Sequence, residues 1–152
     1  MRTLISIFAL LVLSAATVMA ANPETFTVRM TIRQVITITN TADLDFGTVE
    51  ATAGAYTVNP SAGPHTAGTG AAAATFTIQG EGGATADVSF TTNPVSITNG
   101  TDNISVTMTL ASATHTFSGA AETLYVGGGL NVLGTESTGT YTATSGLQMV
   151  YQ

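Results

Sequence analysis

Large apolar and small polar residues alternate along most of this chain with a period of two, the period of a strand with one dry face and one wet face. The longest such run reads Phe26-Thr27-Val28-Arg29-Met30-Thr31-Ile32 and continues through Gln34 to Ile36 and Ile38. As one strand, residues 26–38 would extend roughly 43 Å at ~3.3 Å per residue, about twice an ordinary strand. Two readings follow. Either a long edge strand opens the domain, or two pieces are joined end to end and the first plugs a neighbouring subunit.

Further along, Leu44 and Phe46 can turn inward while Asp43 and Asp45 turn out. Residues 55–58 form a short strand ended by Asn59-Pro60, and residues 61–70, rich in Gly, Pro and Ser, form a loop. Strands over 74–79 and 85–91 flank Gly80-Glu81-Gly82-Gly83, with Phe76, Ile78, Ala86, Val88 and Phe90 inward. Strands over 95–98 and 103–110 flank Asn99-Gly100, a strong hairpin signal. A short strand covers 113–117, and a longer one covers 123–133 with Leu124, Val126, Leu130 and Val132 on one face. Gly127-Gly128-Gly129 interrupts it and marks a bulge or the close approach of another backbone. A final strand over 140–151 carries Tyr141, Ala143, Leu147, Met149 and Tyr151 on one face. No segment after residue 20 keeps a helical period for long. Eight to ten short strands at this spacing predict an all-β antiparallel sandwich.

Residues 1–20 break the pattern and read as a signal peptide: Arg2, an apolar run over 4–13, and the small-residue site Val18-Met19-Ala20. That apolar run is shorter than the ~20 residues that cross a membrane. The expectation is a secreted protein, in the periplasm in transit and then at the cell surface or outside the cell, with no membrane contact after cleavage. Residues 21–152 then form one β-sandwich domain with a proper core. The chain has no Cys, so its stability rests on burial and the hydrogen-bond ladder. It has no Lys, and its net charge at pH 7 is −6. Arg29 and Arg33 are the basic residues beyond residue 20, too few to neutralise phosphates, and nucleic acid is not an expected partner.

Candidate chemistry is sparse, and the chain is not expected to be an enzyme. His65 lies in the Pro-containing loop and His115 alternates with Thr114 and Thr116. Two His without a third ligand are poor grounds for zinc. Asp43, Asp45 and Asn40 could approach calcium, but calcium loops need more oxygens at defined spacing. There is no Trp for a sugar platform, and the carboxylates are scattered. The glycine triplet has neither the lysine nor the helix of a phosphate loop. No catalytic, metal or cofactor site is expected.

Leu44-Asp45-Phe46-Gly47, Leu124-Tyr125-Val126-Gly127-Gly128 and Gly139-Thr140-Tyr141 together resemble a secreted bacterial family of unknown function, number four thousand four hundred and two. The resemblance implies an immunoglobulin-like sandwich, related to spore-coat-U-type and archaic chaperone–usher pilins and open to lacking its last strand. Such pilins carry a penultimate aromatic and a glycine fourteen positions from the end; here these are Tyr151 and Gly139. By the same resemblance, the last strand would be held by a periplasmic chaperone, and Gly139, Tyr141, Leu147, Met149 and Tyr151 would line an acceptor groove. The disulfide common in pilins is absent, and Ser145-Gly146 interrupts the large residues of the last strand.

Two functions are carried forward. In the first, the chain is a structural subunit of a surface fibre or pilus. The segment 24–32 of one copy, with Phe26, Val28, Met30 and Ile32 as its apolar face, completes the next copy by strand addition. The polymer is then homotypic, with a periplasmic chaperone and an outer-membrane usher as assembly partners. In the second, the chain is a self-contained secreted sandwich that binds a glycan or a surface protein.

Overall fold

The computed structural model describes residues 23–152, so the expected signal segment lies outside the described residues. Among these are nine strands and no helix: β1 (Thr37–Ala42), β2 (Gly54–Val58), β3 (Ala74–Gln79), β4 (Thr85–Phe90), β5 (Val95–Thr98), β6 (Asn103–Leu110), β7 (Thr114–Thr116), β8 (Glu122–Val132) and β9 (Leu147–Tyr151). The chain divides after Thr31, and all nine strands belong to the unit Ile32–Gln152. The first strand thus begins inside the alternating run. β1 takes only the end of that run. Residues 26–36 form no strand, so the long edge strand of the first reading does not occur.

All pairing between strands is antiparallel and makes two sheets. The larger has six strands in the order β1-β3-β8-β6-β5, with β2 also on β8; the smaller has three, in the order β7-β4-β9. β8 is the hub. Along one edge its residues 122–126 pair with β3 and its residues 128–132 with β2. Along the other, residues 126–130 pair with β6. Where β3 hands over to β2, the backbone of residues 58–60 crosses Gly127 so closely that a side chain would strike the Val58 carbonyl and the Pro60 nitrogen. The close approach anticipated at the glycine triplet is therefore found there, and only glycine fits.

The inward faces follow the alternation: Ile104 and Val106 on β6, Val126, Leu130 and Val132 on β8, and Ala86 and Val88 on β4 are buried. β3 and β4, on either side of Gly80-Glu81-Gly82-Gly83, lie in different sheets, so this turn carries the chain across the sandwich.

The end of the chain differs from the expected strand over 140–151. Thr142 makes one bridge with Thr98 at the edge of the larger sheet, and the strand proper is β9, in the smaller sheet. The chain changes sheets at Ser145-Gly146. There Ser145 Oγ donates to the Thr92 carbonyl at 2.8 Å, and Thr91 N–H donates to the Gly146 carbonyl at 2.8 Å. A small, flexible pair is what such a crossing needs.

Candidate functional site

The buried residues fall into two clusters. One is Ile78, Ala86 and Phe117, packed against Ile36, Ile38, Phe76, Leu124, Met149 and Tyr151. It draws on both sheets and is shut: Phe117 meets Tyr151 edge-on with ring centroids 5.9 Å apart. The other is Ile104, Val106, Leu130 and Val132, all from β6 and β8. Above it the smaller sheet gives way to a cleft of about 810 Å³. Val106, Val126 and Leu130 line its floor, Phe90 and Leu147 one end, and Phe46 and Tyr141 its flanks.

Two irregular segments make the walls. Residues 44–48 are tied to residues 68–72 by main-chain bonds, among them Asp45 N–H to Ala72 O at 2.9 Å and Thr48 N–H to Thr69 O at 3.0 Å. Leu44 and Phe46 lean over Gly128: a Cβ there would sit 3.2 Å from Leu44 Cδ2 and 3.4 Å from Phe46 Cζ. Two of the quoted motifs therefore meet, one supplying the hollow and the other filling it. Gly47 has φ +71°, and a Cβ on it would lie 2.5 Å from Thr69 O, so glycine is required at this turn.

The opposite wall, residues 139–147, is pinned at both ends. Asn99 Nδ2 donates to Ser137 O at 3.3 Å, and Ser137 N–H donates to Asp102 Oδ2 at 2.7 Å. Thr98 and Thr142 exchange main-chain bonds of 3.1 and 3.0 Å. Tyr141 OH donates to Ser137 O at 2.8 Å. The Ser137 hydrogen bonds hold the Asp102 carboxyl below its ordinary range. The Leu133 N–H, helped by those of Gly134 and Thr135, does the same for Glu136. Burial, then the charges of Asp102 and Glu136, pushes the Tyr141 phenol up.

β9 has an unpaired edge, which reaches the cleft at Leu147. Gln152 N–H donates to Thr85 O and Thr91 N–H to Gly146 O. The hydrogen-bonded positions of β9 on β4 are thus Gln148 and Val150. The main-chain groups of Leu147, Met149 and Tyr151 point the other way, and among the described residues no strand pairs there. Such an edge is a template for another strand.

The expected groove residues are therefore split. Gly139, Tyr141 and Leu147 line the cleft. Met149 and Tyr151 turn their side chains into the shut cluster instead. Tyr151 OH accepts from Glu81 N–H at 2.7 Å and donates to Gln34 O at 2.9 Å. Arg33 lies 5.6 Å over the Tyr151 ring, and its Nη1 donates to Gln152 O at 3.3 Å. The expected donor residues Phe26, Val28, Met30 and Ile32 are each at least 80% exposed.

The other candidates are engaged locally. His115 Nε2 lies 3.0 Å from Glu122 Oε2. That hydrogen bond, with the Ser118 N–H, holds the Glu122 carboxyl below its ordinary range. His65 Nδ1 accepts from Asn59 N–H at 3.1 Å. Asp45 Oδ1 accepts from Gly47 N–H at 2.7 Å, and Asp43 Oδ1 accepts from Asn40 Nδ2 at 3.2 Å. Among the described residues no three His, Cys, Asp or Glu side chains group as a metal site.

Reading the sequence alone missed Gly128 and the residues above it as part of a site. A glycine at an inward position of an alternating strand signals a hollow, and that signal was present. The family described as Domain of unknown function (DUF4402) matches residues 36–151. No curated protein and no solved structure matches the chain.

Proposed function

We propose that this chain, which belongs to the DUF4402 family, is a structural subunit of a homopolymeric surface fibre assembled by donor-strand complementation. One observation carries the reading. The chain has an open apolar cleft that meets an unpaired strand edge at Leu147, and it also has an exposed apolar ladder with a strand's period. The occupant of the cleft is the segment 26–32 of a second copy. Its main chain adds to the free edge, and Phe26, Val28, Met30 and Ile32 descend between the walls. Burying these four side chains yields about 6–12 kcal/mol gross, before the costs of ordering and association. A shift of one residue would turn Thr27, Arg29 and Thr31 inward, so the face is strictly chosen. The family resemblance adds export to the surface, an immunoglobulin-like ancestry of the sandwich, and a periplasmic chaperone and outer-membrane usher as assembly partners.

Met30→Asp places a charge in the middle of the buried face. The expected result is loss of the subunit ladder on gels of unboiled material; an intact ladder contradicts the reading. A chain starting at Arg33 should stay folded and monomeric and should capture a peptide of residues 23–32. Unfolding of that truncated chain would mean that the ladder belongs to its own sandwich.

A further inference from the structure

We infer that Arg29 sets the register of the donated strand by pairing with Asp43 and Asp45 on the rim of the accepting copy. This rests on the donor-strand reading and adds a specificity determinant to it.

Alternation alone cannot complete the register. A slip of one residue is blocked, because it inverts the faces. A slip of two keeps every apolar residue facing the floor and moves the strand only ~6.7 Å along its axis. Phe26, Val28, Met30 and Ile32 differ in shape but not in kind, so pocket filling discriminates weakly between such slips. The single non-repeating feature of residues 26–32 is Arg29. With its neighbours Val28 and Met30 directed into the cleft, Arg29 must project from the opposite, wet face, beside the rim.

The rim supplies the complement. Asp43 and Asp45 are the charged side chains among the residues that line the cleft, and both are exposed. Each commits Oδ1 to its own segment, to Asn40 and to the Gly47 N–H respectively, which leaves Oδ2 for an incoming donor. A guanidinium is suited to bridging carboxylates through its fork of N–H groups. Arg33, the other basic residue of the described chain, is engaged with Tyr151 and Gln152 and lies 3.9 Å from Glu81. The donor cation is therefore Arg29. A rim pair of this kind acts mainly on encounter and register, and salt weakens it.

The test uses the full chain, with assembly followed over time on unboiled gels at low and high salt. Arg29→Glu should slow assembly about tenfold at low salt and reverse its salt dependence, because salt then screens a repulsion from Asp43 and Asp45. Asp43→Asn combined with Asp45→Asn should slow assembly less and remove its salt dependence; the asparagine at 45 retains the oxygen that accepts the Gly47 N–H. Arg29→Glu combined with Asp43→Arg should recover part of the lost rate. Assembly of Arg29→Glu at the wild-type rate, with the wild-type salt dependence, overturns the inference. If Met30→Asp still blocks assembly in that case, the donor-strand reading stands and only the register determinant falls. A wild-type chain that never assembles overturns both.

Discussion

Around Phe117 the two sheets close on each other: Ile78 comes from the larger sheet, Ala86 from the smaller, and Met149 and Tyr151 cover them from β9. Around Val106 and Leu130 the same larger sheet presents an equally apolar face, but opposite it stand two loop walls and a cleft of about 810 Å³. The residue types hardly differ. The difference lies in the last segment, which runs as β9 over the shut half and as an irregular wall with one bridge over the open half. An apolar sheet face without a facing layer is normally covered by something. The contrast shows that this core is covered by two sheets at one end and by loop walls around a cleft at the other.

The largest expected effect is in the shut half. Phe117→Ala removes the side chain at the centre of a closed cluster and should cost about 3–5 kcal/mol of unfolding free energy, read by denaturant titration. A loss under about 1 kcal/mol would mean that this half is not closed. Leu147→Ala, at the end of the cleft, probes the open half. Its side chain is half-buried and has room beside it. The isolated chain should lose only about 1 kcal/mol, while assembly weakens markedly on unboiled gels. Equal destabilisation by both substitutions would erase the distinction between the halves.

The smallest effect is local and is read by pH. The Asp102 and Glu136 carboxyls are held below their ordinary range, and both sit at the start of the wall over the open half. A depressed carboxyl contributes stability that is full above its unfolded value and is lost as pH falls through its folded value. Tyr141, pushed up, contributes in the opposite sense: its share is present below the ordinary phenol value and is lost as pH rises through the raised one. Amide exchange at about pH 3 should therefore show the Leu133, Gly134, Thr135 and Ser137 amides, which donate to these carboxyls, losing protection before the strands. The Ser118 amide, which donates to the low-held Glu122 carboxyl of the shut half, should lose it as well. Uniform loss along the chain would contradict the assignment of those carboxyls to the wall.

Much of the sandwich was legible because alternation reports burial directly. The bounds of β3, β5 and β6 coincide with their alternating or hairpin-flanked runs, and Leu44 and Phe46 turn inward as their pattern implies. Alternation does not say which sheet a strand joins. Residues 140–151 read as one ribbon, and only the hydrogen bonds of Thr91, Thr92 and Thr98 show that the ribbon crosses between sheets. Nor does alternation say whose core a dry face fills, and so residues 26–32 and residues 36–38 looked alike. Ile36 and Ile38 pack in the shut cluster, whereas Phe26, Val28, Met30 and Ile32 are exposed. The part of the site carried by Gly128, Leu44 and Phe46 was hidden for another reason. It depends on two motifs, far apart in the chain, meeting over one hollow.

Whether the cleft receives the ladder of another copy can be read chemically, because the chain contains no cysteine. Chains carrying Met30→Cys are to be mixed with chains carrying Leu147→Cys, assembled and oxidised, and run without reductant. The expected product is a disulfide-linked pair containing one chain of each kind. Absence of that mixed pair while assembly proceeds, or a link formed within single chains of the double variant kept monomeric, would contradict the donor-strand reading.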